Sequence, residues 1–228
     1  MSMIVFDKVF RDYEDGGQVV HALKETTFEI QEGEFVAIVG PSGSGKSTLL
    51  TLMGGLQQPS GGEIYLNDRA YGALSQEMLI KFRFTEIGFI LQSSNLVPYL
   101  TLAEQFILVD RYAKRAHDIA KANSLMKSLG IKKLANTYPA DMSGGERQRA
   151  AICRALYTEP SLILADEPTA SLDSEKAYEV MKIIADRTKQ NRIAAVMVTH
   201  DRRLLAYVDR VFEVTDGVLA EIDVPINS

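Results

Sequence analysis

The sequence predicts an α/β protein: a mainly parallel sheet, an N-terminal antiparallel β region ahead of it, and an all-helical segment inserted into it. Three observations predict this. The apolar run Phe35-Val36-Ala37-Ile38-Val39 enters Gly40-Pro41-Ser42-Gly43-Ser44-Gly45-Lys46-Ser47-Thr48 and then Leu49-Leu50-Thr51-Leu52-Met53, the pattern of a buried strand, a glycine turn and a helix start. Similar apolar runs at 87–91, 161–165 and 193–198 are spaced by helical patterns, as in a sheet covered by helices on both faces. Between Gln92 and Glu159 only helical patterns occur, so 92–159 interrupts a core built from 1–91 and 160–228.

Length and composition bound the rest. At 228 residues the chain is long enough for one large domain or one domain carrying an insertion. Its 46% hydrophobic and 24% charged residues are those of a soluble globular protein. A net charge of −5 gives no global electrostatic case for nucleic acid, and Arg147-Gln148-Arg149 and Arg202-Arg203 are local clusters of the kind found on solvated faces. The single Cys153 rules out an internal disulfide and fits a reducing compartment; inside a predicted helix it reads as a small buried side chain. No apolar run approaches the ~18 residues of a membrane span, and Met-Ser-Met-Ile-Val-Phe-Asp lacks the basic-then-apolar order of a signal peptide. A cytoplasmic protein is the expectation.

Taken in order, 4–10 is predicted as a strand, 11–17 as a turn, and 19–30 as one or two returning strands. Gln31-Glu32-Gly33 turns into the strand over 35–39. After the helix that begins near Thr48, Pro59-Ser60-Gly61-Gly62 breaks the chain and Glu63-Ile64-Tyr65-Leu66 begins a strand. Residues 74–84 predict a helix and 87–91 a buried strand ending at Gln92. Thr101-Leu102-Ala103-Glu104 has the Ser/Thr-x-x-Glu form of a capping box and opens a helix to about 112. A second helix is predicted over 115–129 with Gly130 as its stop, and a third from near Ser143 to before Pro160. The strand over 161–167 ends in two carboxylates. A helix over 174–190 keeps Ala177, Val180, Ile183 and Ile184 on one apolar face, and the strand over 193–198 ends at Thr199-His200. A hairpin closes the chain, 211–214 and 218–222 about Asp216-Gly217.

Chemistry concentrates at three of these junctions. In the glycine loop successive backbone N–H groups can converge on one point, and the helix N-terminus adds a positive dipole end there. Lys46 reaches β- and γ-phosphates, and the Ser47 hydroxyl is placed to ligate Mg²⁺, so the motif implies a bound nucleoside triphosphate. Asp166 ends a buried strand; if that strand is parallel to the loop's own, its carboxylate stands beside the metal, and two adjacent buried acids are costly without a cation. Glu167 is then placed to orient and polarise an attacking water. At the third junction, Met142-Ser143-Gly144-Gly145-Glu146-Arg147-Gln148-Arg149, Ser143 is a helix N-cap and the glycines leave the first N–H groups bare to an anion. Taken alone that turn is common, as are Gln92 in a loop and His200 at a strand end. His21 and His117 have no motif around them.

In this order, over essentially the whole chain, these segments resemble the ATP-binding subunit of an ABC transporter. Residues 40–48 resemble the family's phosphate loop, Gln92 its glutamine loop, and 142–146 its Leu-Ser-Gly-Gly-Gln signature. Residues 162–167 resemble its Walker B strand and catalytic glutamate, Ser171-Leu172-Asp173 its D-loop, and His200 its switch histidine. Tyr13 occupies the place of the aromatic that stacks on adenine. The resemblance implies a P-loop NTPase core that binds ATP through Tyr13, Gly40, Pro41, Ser42, Gly43, Ser44, Gly45, Lys46, Ser47, Thr48 and Gln92. It implies Mg²⁺ held by Ser47, Gln92 and Asp166, and hydrolysis carried by Glu167, His200 and Lys46. Two residues depart from the pattern. Met142 replaces Leu at nearly equal volume, and Glu146 replaces Gln, where its charge suits the helix dipole but disfavours an incoming phosphate.

The same resemblance implies a head-to-tail homodimer with two ATP molecules at its seam. Each would lie on the phosphate loop of one copy and under Ser143, Gly144, Gly145 and Glu146 of the other. It also implies an integral membrane permease as a separate polypeptide, and so a place on the cytoplasmic face of the cell membrane. The permease contact is expected at Ser93-Ser94-Asn95-Leu96-Val97-Pro98-Tyr99-Leu100-Thr101-Leu102, unusually apolar for a loop, though packing beneath the insertion accounts for it as well. That segment resembles subunits of lipoprotein-releasing, macrolide-efflux and haem-exporting systems and leans toward haem export. A mechanical ATPase of the cell-division type would share every motif. A soluble ABC ATPase acting on DNA or ribosomes is disfavoured by the acidic charge, and a phosphate-loop kinase would have no use for 142–146 or His200.

Overall fold

The computed structural model describes residues 1–72 and 74–223, which form two sheets with helices packed on them. Strands β1 (Ser2–Asp15), β2 (Gln18–Gln31), β4 (Gly61–Leu66) and β5 (Arg69–Ala70) make an antiparallel sheet in the order β2-β1-β4-β5. The second sheet contains β3 (Phe35–Val39), β6 (Ile87–Ile90), β7 (Leu162–Asp166), β8 (Ala194–Val198), β9 (Arg210–Thr215) and β10 (Val218–Ile222), in the order β10-β9-β3-β8-β7-β6. All its pairings are parallel except β9 with β10. The helices are α1 (Lys46–Met53), α2 (Gln76–Glu86), α3 (Leu102–Tyr112), α4 (Ile119–Ser128), α5 (Gly144–Tyr157) and α6 (Ser174–Asn191).

The central strands read as unbroken apolar runs because both faces are covered. Alternate residues of each go to opposite layers. Phe35, Ala37, Ile163, Ala165, Ala195 and Met197 join one apolar cluster with α3, α4, α5 and α6. Val36, Ile38, Leu162, Leu164, Val196 and Val198 join another with α1, α2 and the antiparallel sheet. Cys153 lies buried in the first, where burial pushes its thiol pKa up and leaves it an inert core group.

Three elements differ from expectation. Residues 11–15 are strand, paired with 18–23, and the turn is only Gly16-Gly17. Their polarity resembled a turn, but this end of the hairpin leaves β2 largely exposed, and polar side chains are tolerated there. The hairpin strand β5 was not anticipated, being two residues long. Helix α4 begins at Ile119 rather than near 115, because Asp118 is its N-cap, accepting from the Lys121 N–H at 2.9 Å.

The residues released from α4 have another task. Arg115 donates to Asp110 Oδ1 at 2.6 Å, and Asp110 Oδ2 is 2.7 Å from His117 Nδ1 and accepts from the Tyr157 hydroxyl at 2.5 Å. This cluster ties α3, the link to α4 and the end of α5 together around a carboxylate that is 1% exposed. Burial opposes its ionisation, but hydrogen bonds from Tyr157, His117 and Arg115 outweigh burial and hold the pKa below the ordinary value. Asp110→Ala strands a buried hydroxyl and a guanidinium, and is expected to cost about 2–4 kcal/mol in urea unfolding. The folded carboxyl ionises at lower pH than the unfolded one. Its contribution is therefore complete above pH ~4 and lost as pH falls through the folded value, so acid should narrow the gap between parent and variant.

Between β6 and β7 the described residues hold α3, α4, α5 and 3₁₀ turns at Lys132–Leu134 and Pro139–Asp141, and no strand. The helical character expected for this stretch is found.

Candidate functional site

Parallel pairing brings four strand ends abreast. Asp166 is paired with Val198, and Val198 with Ile38. One step further, the Glu167 N–H donates to the Val198 carbonyl at 3.0 Å and the Thr199 N–H to the Ile38 carbonyl at 3.2 Å. Ile90 is paired with Ala165, so Leu91 and Gln92 leave the sheet beside Asp166 and Glu167. Gln92, Glu167, His200 and the glycine loop therefore share one edge, at the carboxyl ends of the parallel strands, where ligands of open α/β sheets bind.

The loop's shape is dictated by two glycines. Gly40 has φ +142°, and a Cβ there would lie 2.2 Å from the Val214 carbonyl oxygen. Gly45 has φ +112°, and its Cβ would meet the Ala22 carbonyl oxygen at 2.4 Å. Gly45 is also the N-cap of α1, and among the described α-helices α1 alone lacks a side-chain cap; Ser75, Thr101, Asp118, Ser143 and Asp173 cap the others. The first N–H groups of α1 are thus left for an anion, and its first turn carries no acid. Lys46 Nζ donates to the carbonyls of Gly40 at 2.9 Å and Pro41 at 2.6 Å, lying over the loop mouth. Ser47 is exposed, Thr48 half-buried, and the Ser44 hydroxyl is buried without a partner among the described residues. Pro41, Ser42 and Gly43 are exposed along the rim.

At β7 the two carboxylates differ in their surroundings. Burial, and then the Glu167 charge, push the Asp166 pKa up, with Lys46 opposing them. No group of three acidic, His or Cys side chains among the described residues could cage a metal. One desolvated carboxylate fits an ion such as Mg²⁺, which takes one or two protein oxygens and completes its shell with phosphates and water. Glu167 has φ +47°, left-handed backbone that costs of order 1 kcal/mol or more and concentrates at functional sites. Its Oε1 accepts from the His200 N–H at 3.1 Å and lies 2.7 Å from His200 Nδ1, with the His200 ring 80% exposed.

The Ser143 turn lies elsewhere. No hydrogen bond among the described residues joins 143–146 to 40–48. Ser143 Oγ donates to Glu146 Oε2 at 2.9 Å, and the Ser143 N–H donates to the same oxygen at 2.9 Å. These bonds, backbone first, hold the Glu146 pKa below the ordinary range. Glu146 thus completes a capping box, a role legible in Ser-x-x-Glu but not assigned above. The glycines of this turn face the D-loop of the same chain: a Cβ on Gly145 would lie 3.2 Å from Leu172 and 3.3 Å from the Ser171 carbonyl oxygen. Asp173 caps α6 through the Lys176 N–H at 2.9 Å.

Tyr13 is in β1, half-buried. Its hydroxyl donates to Gln57 Oε1 at 2.5 Å, and the Arg11 guanidinium lies 4.6 Å from the centre of its ring. One arginine of each cluster is bound locally: Arg147 donates to the Met142 carbonyl at 2.5 Å, and Arg203 forms a fork with Asp201 at 2.9 and 2.7 Å. In 93–102, Leu96 and Leu100 are half-buried and the buried Gln105 amide holds Val97 and Leu100 carbonyls at 2.8 and 3.1 Å, while Tyr99 is 77% exposed. Much of this segment therefore packs under the helices. The larger apolar opening is a groove of about 600 Å³ lined by Leu56, Ile80, Phe84, Leu108 and Tyr112, to which the loop gives only Val97. Sequence reasoning missed the groove because its lining is dispersed over α2, β6, α3 and α5. Exposed apolar side chains Ile80, Leu108 and Tyr112 on otherwise amphipathic helices were the available signal.

Comparison with known proteins agrees with this geometry. The model of the family described as ABC transporter matches residues 23–170. The putative hemin import ATP-binding protein HrtA of Staphylococcus aureus (strain Newman) is 42% identical over 223 residues, spanning 97% of this chain and 100% of its own. The dimeric ATP-binding cassette MJ0796, in a post-hydrolysis state bound to ADP and Pi, superposes with a TM-score of 0.90 at 35% identity, covering 99% of this chain and all of that one. Clostridium perfringens cbiO1, part of the ABC transporter complex cbiONQ, gives 0.80 at 29% identity, covering 96% of this chain and 87% of its own. A glycine loop, paired acids and Ser-Gly-Gly turn on one such fold leave a single conclusion: this chain belongs to the ABC transporter family, as an ATP-binding subunit that hydrolyses ATP.

Proposed function

We propose that this chain is the motor of a haem transporter, pairing with a second copy on ATP and driving a separate membrane permease from the cytoplasmic face. The observation that carries the permease partner is the open groove of Ile80, Phe84, Leu108 and Tyr112, on a chain in which no described helix is long and apolar enough to cross a membrane. A groove of that size with two arginines, Arg83 and Arg154, at its wall suits an amphipathic helix of a partner. Residues 92–159 act in this reading as a helical subdomain that carries the groove's α3 wall and the Ser143 turn, moving on a core of 1–91 and 160–228.

In the paired state, each ATP lies on the glycine loop of one copy and under Ser143, Gly144 and Gly145 of the other. Tyr13 stacks on the base. Gly40–Thr48 backbone N–H groups and Lys46 bind the phosphates, Lys46 exchanging the Gly40 and Pro41 carbonyls for phosphate oxygens. Ser47, Asp166 and Gln92 would hold Mg²⁺, which when bound offsets charge on the phosphate oxygens. Glu167 orients the attacking water toward the γ-phosphorus, and His200, whose ring is 2.7 Å from that carboxylate, steadies it and contacts the γ-phosphate. Loss of the γ-phosphate removes the group both copies grip, and the pair opens. The dimeric state of the MJ0796 cassette supports this pairing.

Haem as cargo rests on the likeness to the hemin ATP-binding protein. Export is the direction implied by the resemblance of 93–102; import is the direction in that relative's name, and both are tested together. Leu108→Asp with Ile80→Asp is expected to abolish co-purification with the permease from membranes while leaving ATP turnover of the free chain within about twofold, since neither residue touches the glycine loop. With the parent complex in vesicles, motor side outward and haem on both sides, ATP-driven haem entry into the lumen supports export. Haem appearing outside supports import, and ATP turnover without haem movement supports a mechanical role.

A further inference from the structure

Gln148 is a polar side chain only 2% exposed, in the helix that opens with the Ser143 turn. Its Nε2 donates to the Leu91 carbonyl at 3.3 Å and to the Pro168 carbonyl at 3.0 Å. Leu91 immediately precedes Gln92, and Pro168 immediately follows Glu167. A single buried amide therefore ties α5 to the ends of β6 and β7, two strands that pair with each other as far as Ile90 and Ala165. Burial makes the arrangement demanding, because a buried donor without partners is costly and the two carbonyls would otherwise lose theirs.

The Pro168 bond has a second consequence. Glu167 is held in left-handed backbone, and the carbonyl one residue on is the one Gln148 grips. Rotating α5 would pull on this peptide and on the one before Gln92 together. Of the nearby arginines, Arg147 is on the Met142 carbonyl and Arg154 on the Asn95 carbonyl at 2.8 Å, while the Arg149 Nε is buried without a partner among the described residues.

We infer that Gln148 is a positioning residue that locks the Ser143 turn of a copy to the Glu167 carboxylate of the same copy. The inference rests on the paired-site reading above. There, the Ser143 turn of one copy serves the partner's ATP, whereas Glu167 serves its own. Gln148 thus links one ATP site to the other through one rigid helix, and coupling follows if ATP shifts that helix between two positions. Its mutation acts on cooperativity as well as on rate.

Gln148→Met nearly keeps the volume and removes the donor. It is expected to lower kcat about tenfold or more, and to bring the Hill coefficient for ATP from near two toward one, with ATP binding to the monomer within about twofold. Gln148→His keeps an N–H donor and should retain part of both, and Gln148→Asn replaces the Met variant should that one not fold. A parent chain without cooperativity, a variant with unchanged kcat or unchanged Hill coefficient, or turnover and monomer ATP binding lost in equal measure would each overturn the inference. Glu167→Gln, run in parallel, separates the two levels. If it is inactive while Gln148→Met is normal, only the role of Gln148 falls; if Glu167→Gln itself turns over normally, the role of Glu167 falls, and if mixtures of Lys46→Ala and Ser143→Arg copies stay inactive, the paired-site reading has failed.

Discussion

Glu167→Gln is expected to bind ATP with near-parent affinity, to lose about 10²- to 10⁴-fold in turnover, and to elute in ATP at twice the monomer mass. Three features lead to this. The carboxylate stands at the end of β7, one residue past the desolvated Asp166, and is aimed by the His200 N–H and ring. The amide keeps the shape but accepts more weakly and cannot polarise water. None of the groups that grip phosphate in the glycine loop is touched, so the γ-phosphate stays and the pair stays closed. Sedimentation in ATP against ADP reads the trap, and phosphate release reads the loss. Turnover within about threefold of the parent would remove Glu167 as the residue that positions water.

Mixing two inactive copies is expected to restore activity. Lys46→Ala cripples the glycine loop, and Ser143→Arg fills the turn whose small side chain is tucked against Glu146. In a mixed pair, the intact loop of one copy meets the intact turn of the other, giving one working centre. Random pairing at equal amounts therefore restores about a quarter of the parent's centres. Ser143→Arg alone should still bind ATP as a monomer, because no hydrogen bond among the described residues joins its turn to the chain's own loop. Mixtures that stay inactive, while both copies fold and pair, would show that each centre is complete within one chain.

Much of the site was legible before folding. The glycine loop reads as letting backbone N–H groups converge, and the structure shows why 40 and 45 must be glycine: positive φ and close approach to the Val214 and Ala22 carbonyls. The paired acids after an apolar strand announced a costly carboxylate, and Asp166 is desolvated. Other features were missed. Gln148 stood between two arginines in what looked like a solvated run, yet it is buried on two carbonyls 57 and 20 residues away in sequence. Glu146 was weighed as a charge facing phosphate, and its carboxylate is turned back onto Ser143. The segment 93–102, much of it packed under the helices, was offered as the permease contact; the broader apolar opening is assembled from α2, β6, α3 and α5.

By itself the sequence determined what depends on neighbours: which stretches are strand or helix, where glycine alone fits, and which helix starts are capped by their own side chains. Those choices are set by steric and hydrogen-bonding contacts within a few residues. Only the tertiary structure decided that Gln92, Glu167, His200 and Gly40 stand abreast, and that one buried amide spans two of the strands. Parallel pairing uses backbone hydrogen bonds that every residue can make, so its register is selected by two-faced packing of β6, β7, β8 and β3 against helices from distant parts of the chain, and no local pattern records it.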